Sequence, residues 1–157
     1  MSSEDIRLDV TADPKLLRYV RTLLKSYVIG QGFPEEHAEN VVLAVDEACT
    51  NAIRHSYGGC CGEKVELRLG STPDGVEIVV SDRGTPAPPG AVTRKESPPP
   101  DPASLKPGGL GVQLMFRVFD EVDFRPGETR GNTVRMLLRW PDGARRQAGA
   151  AGDGGHR

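Results

Sequence analysis

The order in which helical and strand-like patterns follow one another is the feature of this sequence that most restricts its fold. Residues 6–10 alternate apolar and polar side chains, which predicts a strand, and two helical patterns follow. Two alternating segments, a long segment without periodicity, a third helical pattern and two more strand-like segments complete the order. Because helices and strands do not alternate strictly, this order favours an α+β fold, a two-layer sandwich with helices on one face of a mixed, mostly antiparallel sheet.

Prolines, glycines and capping residues mark where the elements begin and end. Asp13-Pro14 is typical of a helix start, and Gly30 of a helix end. The segment Thr72–Gly75 joins two alternating runs and predicts a hairpin turn. The predicted helices cover about 14–30, 34–57 and 110–119, and the predicted strands 6–10, 64–69, 76–81, 121–124 and 133–140.

Composition narrows the class of protein. The 157 residues suit one domain, and with 5% aromatic residues the core must be mostly aliphatic. A net charge of -2 without a basic run predicts no direct contact with nucleic acid, and the absence of a long apolar segment predicts no membrane contact. The three cysteines, Cys49, Cys60 and Cys61, favour a reducing, cytoplasmic location. A zinc site is the alternative, but neither a CxxC pair nor a His cluster supports it.

Two segments lack any periodic pattern. Eight prolines lie between residues 84 and 109, and a segment this long inside a small domain is usually a functional or disordered loop. Residues 141–157 are rich in glycine, alanine and charge, which predicts a disordered tail.

The second predicted helix carries two polar residues at the edge of its apolar stripe. Glu47 and Asn51 are four residues apart, so they share a face, and they flank the apolar positions Val45, Ala48 and Ala52. An amide oxygen suits Mg²⁺, and a carboxylate one turn away can accept the proton of an attacking hydroxyl. Taken alone, the pattern equally describes a helix with a polar edge.

A second polar position ends the apolar strand that precedes the proline-rich segment. Asp82 follows this strand directly, and Gly84 comes two residues later. A carboxylate there can accept a hydrogen bond from the exocyclic amine of adenine, and the glycine lets the backbone approach a ligand closely. The simpler interpretation is an Asp-x-Gly turn that closes a strand.

A third pattern is the glycine cluster that opens the last predicted helix. Gly108, Gly109 and Gly111 precede an apolar helical run, and the free N–H groups of a helix start can bind phosphate. The cluster has neither the GK[ST] of a Walker loop nor a GxGxxG after a strand. A flexible hinge is the alternative interpretation.

The three patterns together, in this order, resemble the N box and the two glycine boxes of the ATPase superfamily that includes gyrase, histidine kinases and mismatch-repair ATPases. Within that superfamily, EACTNAIRHSY and DRGTPAPP resemble the anti-sigma-factor serine kinases, over roughly residues 6–140. The resemblance implies a Bergerat fold at residues 1–140, with ATP between the helices and the sheet. It also implies a lid over the nucleotide at about residues 84–108.

The resemblance also implies a role for individual residues. Glu47 would be the general base, Asn51 would hold Mg²⁺ beside the nucleotide, and Asp82 would bind adenine. The remaining nucleotide contacts implied by position are Gly84, Gly109, Leu110, Gly111 and Thr133.

The implied function is that of a switch protein. It would bind a sigma factor and use ATP to phosphorylate a serine of an antagonist protein, and it would act as a homodimer. Two alternatives stay open: a partner-binding module of the same fold without catalysis, and a detached histidine-kinase-type catalytic domain. For the latter, His37 lies at a helix start rather than in a dimerisation hairpin.

Overall fold

A computed structural model describes residues 3–56, 58, 62–88 and 109–141. This part of the chain contains five strands, three α-helices, one 3₁₀ turn and one π turn. Their bounds are β1 Ser3–Thr11, a 3₁₀ turn Pro14–Leu16, α1 Leu17–Gly30, α2 Glu35–Asn51, a π turn Ala52–Ser56, β2 Lys64–Ser71, β3 Gly75–Asp82, α3 Gly109–Val118, β4 Glu121–Pro126 and β5 Asn132–Arg139.

The five strands form one sheet in the order β1-β2-β3-β5-β4. All four pairings between the described strands are antiparallel. The helices pack on one face of this sheet, so the α+β two-layer sandwich expected from the element order is confirmed. The central position of β3, between β2 and β5, places its C-terminal residue Asp82 beside Asn132 at the start of β5.

The core lies between the helices and one face of the sheet. Alternate residues of neighbouring strands stand opposite one another in register, as in the rows Leu67–Val80–Val134 and Leu69–Ile78–Met136. All six of these side chains are buried. The period-two alternation seen in the sequence thus puts a continuous aliphatic layer on the helix side of the sheet.

Helix α2 is the central helix of the second layer, because it contacts α1, α3 and β3. The predicted stripe of Val41, Val45, Ala48 and Ala52 is buried, and Ala44 is buried beside it. The alanines bring the helix backbone close to its neighbours, while the half-buried residues Glu47 and Asn51 lie along the edge of this stripe.

The opposite face of the sheet carries ion pairs above a few apolar side chains. The Arg135 guanidinium lies 2.6 Å from Glu77 and 3.5 Å from Glu121. A hydrogen bond from Arg139 holds the pKa of the Glu121 carboxyl below its usual range. The long charged side chains cover Leu137, which is 2% exposed, and so keep this face in contact with water while shielding its apolar residues.

The predicted hairpin turn and Trp140 meet at the end of the sheet farthest from Asp82. The hairpin turn at Thr72–Gly75 is confirmed, with the Thr72 N–H donating to the Gly75 carbonyl at 2.8 Å. The Trp140 indole donates to the Thr72 carbonyl at 3.1 Å and stacks on Phe33, with ring centroids 5.7 Å apart. These contacts close the core at this end.

The second helix departs from its predicted course. It was expected to run to about Tyr57, but the α-helix ends at Asn51 and a π turn continues it from Ala52 to Ser56. Hydrophobic periodicity does not detect a single widened turn, because Ala52 and Ile53 stay buried as an α-helix would also place them. Most of the predicted lid, 84–108, and nearly all of the predicted tail, 141–157, fall outside the described residues.

Within the described ranges, no helix is long and apolar enough to cross a membrane.

Replacing Ile78 by alanine tests the position of the core. Ile78 is fully buried in β3, between Leu69 and Met136 of the neighbouring strands. We therefore expect Ile78→Ala to lower the free energy of unfolding by about 2–5 kcal/mol. Leu43→Ala is the control, since Leu43 is 56% exposed on α2 and its loss should cost less than about 0.5 kcal/mol. Urea unfolding followed by circular dichroism measures both, and equal costs would contradict this assignment of the core.

Candidate functional site

The Glu47 side chain packs directly against Gly111 in the first turn of α3. A Cβ added at Gly111 would lie 2.7 Å from Cδ and 2.8 Å from Cβ of Glu47, and closer still to Oε2. Real Cβ atoms do not approach other atoms this closely, so only glycine fits here without a shift of Glu47. The structure therefore joins two of the sequence patterns, the polar edge of α2 and the glycine cluster of α3.

The glycine cluster forms the beginning of α3. Gly109 is the first residue of the helix, followed by Leu110 and Gly111. The N–H groups of a first helical turn have no partner within the helix, and this end of the helix attracts negative charge. The Glu47 carboxylate thus lies against a helix start that can also accept an anionic ligand.

Asn51 lies one turn beyond Glu47, at the last residue of the α-helix. Both side chains are half-buried, and neither forms a hydrogen bond to another residue in the described part of the chain. The helix widens into the π turn immediately after Asn51, and this turn contacts β3. An amide and a carboxylate without protein partners at the edge of a core are suited to binding a polar ligand.

At the end of β3, Asp82 accepts hydrogen bonds from Gly84 and Asn132. The Gly84 N–H donates to Asp82 Oδ1 at 2.9 Å, which is the turn geometry expected for an Asp-x-Gly segment. The Asn132 amide Nδ2 lies 3.2 Å from the same oxygen and 3.4 Å from Oδ2. The structure thus brings Asp82 and Gly84 together, as the sequence indicated, and adds Asn132 to them.

Asn132 was not among the predicted site residues, although it is the most buried polar side chain in the described part of the chain. It is 7% exposed. Its Nδ2 also donates to the Thr85 carbonyl at 3.0 Å, and its Oδ1 accepts from the Ala87 N–H at 2.8 Å. One side chain therefore joins Asp82 to the segment that follows β3.

The two residues before Asn132 hold the same segment. Gly131 donates its N–H to the Gly84 carbonyl at 2.7 Å, and Arg130 Nε donates to the Arg83 carbonyl at 2.6 Å. Gly131 has a φ of 82°, and a Cβ added to it would lie 2.5 Å from the Asp82 carbonyl oxygen, so a larger residue would be strained there. Arg130, Gly131 and Asn132 together form a clamp on the start of the segment after β3.

The structure does not bring Thr133 to Asp82. Successive side chains of a strand point to opposite faces of the sheet, and Val134 faces the helices. Thr133 instead faces the other side, where its hydroxyl lies 3.3 Å from that of Ser81. Asn132 shares the helix-side face with Val134 and is the residue of this strand that reaches Asp82.

The described polar side chains of this region are carboxylates and amides, and they do not form a metal cluster by themselves. In the described ranges no group of three or more His, Cys, Asp or Glu side chains is placed to hold a metal ion. Cys49 is buried in α2, and burial raises the pKa of its thiol to about 12, which favours the neutral thiol over the reactive thiolate. A cation here would take most of its ligands from a bound anion and water, as Mg²⁺ does with phosphates.

Residues 10–138 match the family described as histidine kinase-like ATPase domain. The serine-protein kinase RsbW of Bacillus velezensis is 31% identical over 141 residues, which cover 86% of this chain and 85% of that protein. The RsbW of Bacillus pumilus is 33% identical over 141 residues, with 83% of each chain covered.

Solved structures agree with the fold. A crystal structure of the RsbU and RsbW domains of a Mycobacterium tuberculosis protein superposes with a TM-score of 0.58 at 20% identity. The match covers 85% of this chain and 32% of the solved one, so this chain spans about a third of that protein. At such identity, the likeness concerns the fold alone.

A double-mutant cycle tests the contact between α2 and α3 without any ligand. We expect Gly111→Ala to lower the free energy of unfolding by about 1–3 kcal/mol, because the new methyl group displaces the Glu47 side chain. In a Glu47→Ala background the carboxylate is gone, and the same substitution should cost at least about 0.5 kcal/mol less. Costs that add without coupling, measured by urea unfolding, would contradict the contact.

Proposed function

Since the chain belongs to the histidine kinase-like ATPase domain family, and within it to the relatives of the serine-protein kinase RsbW, we propose that it is an ATP-dependent serine-protein kinase and anti-sigma factor. In this proposal the chain binds a sigma factor and phosphorylates a serine of an antagonist protein. The observation that supports it most strongly is the packing of the Glu47 carboxylate on Gly111, which joins a base and an anion-binding helix start.

The adenine half of the proposed site lies at the ends of β3 and β5. Asp82 accepts the hydrogen bond of the adenine 6-amino group, and Gly84 allows the base to approach the backbone beside it. The bonds from Gly84 and Asn132 to Asp82 Oδ1 fix the carboxylate before the base arrives. We leave Thr133 out of this half, because its hydroxyl faces the other side of the sheet.

The phosphate half lies between α2 and α3. Gly109, Leu110 and Gly111 offer the backbone N–H groups of a helix start to the phosphates. Asn51 fits a magnesium ligand, since this residue is half-buried and its side chain has no hydrogen-bond partner among the described residues. When bound, Mg²⁺ would neutralise charge on the phosphates.

In the transfer step, the serine hydroxyl oxygen forms a bond to the γ-phosphorus of ATP. The bond from that phosphorus to the β–γ bridging oxygen breaks and leaves ADP. Glu47 accepts the proton of the hydroxyl, for which its place beside the first turn of α3 is suited. The new phosphate adds about -1.5 to -2 charges to the antagonist, which favours its release from the interface.

We further propose that the chain acts as a homodimer in the cytoplasm. The homodimer is inferred from the family, and the cytoplasmic location from three cysteines, two of them adjacent, that do not resemble a disulfide framework. Sedimentation velocity at micromolar concentration checks the oligomeric state.

Calorimetric titration with Mg²⁺ and ATP tests the nucleotide site first. We expect Asn51→Ala and Asp82→Ala each to weaken the affinity about tenfold or more, because each removes a polar ligand of the nucleotide or its cation. The controls are exposed residues of the same elements: Asn40→Ala on α2, and Asp74→Ala next to the other end of β3. If the folded native chain binds no ATP, the kinase proposal fails and only a partner-binding module remains.

The role of Glu47 is tested by phosphotransfer. With an antagonist protein isolated by its affinity for this chain and with labelled ATP, we expect Glu47→Gln to slow transfer by about 10²–10⁴-fold, since the proton acceptor is lost. Its ATP affinity should stay within about threefold of the native value. The exposed Glu36→Gln on α2 is the control and should behave like the native chain.

The chemical stability of the phosphorylated product separates the two kinase types. Phosphoserine survives acid, whereas phosphohistidine does not. A labelled phosphate that the product protein loses in acid would favour the detached histidine-kinase-type domain over the serine kinase. ATP binding without any label transfer would favour the non-catalytic module.

A further inference from the structure

We propose that Asn132 is a positioning residue for base recognition: its amide orients the Asp82 carboxylate and sets the selectivity for a purine that carries a 6-amino group. This inference rests on the proposed nucleotide site and adds a determinant of its specificity. The distances that carry it join Asn132 Nδ2 to the two Asp82 oxygens, at 3.2 and 3.4 Å.

The orientation of the Asn132 amide is set by its backbone partners. An amide oxygen can only accept and an amide nitrogen can only donate. The oxygen is identified by the Ala87 N–H, 2.8 Å away, and the nitrogen by the Thr85 carbonyl, 3.0 Å away. The same nitrogen also donates to the Asp82 carboxylate, whose oxygens lie 3.2 and 3.4 Å away.

Burial makes this arrangement specific. Asn132 is 7% exposed, so an unsatisfied amide there would be costly, and a rotated amide would set two oxygens against each other at Thr85. The side chain is thus held in one orientation by the loop, and it transmits that orientation to Asp82. A carboxylate whose rotamer is fixed in advance loses less entropy when it pairs with an amine.

The test compares ATP with purine riboside triphosphate, which lacks the 6-amino group, for the native chain and for Asn132→Ala and Asn132→Asp. For the native chain we expect ATP to bind about tenfold or more tightly than the analogue. In both variants the ratio of the two dissociation constants should fall towards one. Because a ratio of affinities does not depend on the folded fraction, a loss of stability alone does not change it.

The two variants differ in what they retain of the loop contacts. Asn132→Asp retains an oxygen for the Ala87 N–H but removes the donor to Asp82 and to the Thr85 carbonyl, whereas Asn132→Ala removes all of these bonds. Arg130→Ala is the control, since it removes a bond to the same loop at Arg83 without touching Asp82, and it should leave the ratio unchanged.

Each remaining outcome overturns a specific statement. If Asn132→Asp retains the native ratio and Asn132→Ala does not, Asn132 acts through its bond to Ala87 and the inference is wrong. If both variants weaken the two ligands equally, its role is only structural and the inference is again wrong. A native chain that binds neither ligand overturns the proposed function itself, and a native chain that binds both equally overturns base selection by Asp82.

Discussion

The packing of α2 between the sheet and α3 is the interaction on which the rest of this structure depends. Its buried face is built from small and β-branched residues such as Ala44, Val45 and Ala48, so the helix backbone lies close to both neighbours. That closeness places the next residue around the helix, Glu47, in contact with Gly111. A bulkier stripe would move α2 away from α3 and separate the carboxylate from the helix start. The polar site is thus a consequence of how the apolar face is filled.

Much of this architecture could be predicted from the sequence, because periodicity reports directly on burial. The stripe of α2, the hairpin at Thr72–Gly75 and the alternation along β3 all appear where the pattern placed them. The family resemblance was also confirmed, by the match over residues 10–138. The end of α2 was the less predictable part, since a π turn after Asn51 changes one turn of backbone and leaves the apolar spacing intact.

The site was only partly predictable, because its contacts join residues far apart in the chain. Nothing local in the sequence shows that Gly111 has no room for a Cβ, since the limiting atoms belong to Glu47. Thr133 was predicted from the family resemblance alone, without use of the alternation along β5. Val134, Met136 and Leu138 face the core, so Asn132 shares their face and Thr133 does not. Counting back along β5 from its buried positions places Asn132, rather than Thr133, on the helix side of the sheet.

The two halves of the proposed site differ in whether their polar side chains form hydrogen bonds within the protein. Asp82 is bonded to Gly84 and Asn132, and Asn132 in turn to the backbone of Thr85 and Ala87, so the adenine half is preformed. In the phosphate half, neither Glu47 nor Asn51 has a hydrogen-bond partner among the described residues. Glu47 lies where α2 meets the start of α3, and Asn51 lies where α2 changes to a π turn. Preformed geometry favours selectivity, because a wrong base leaves buried polar groups unpaired. Side chains whose partners come with the ligand favour chemistry, because their strongest interactions are kept for the phosphates and the reacting hydroxyl.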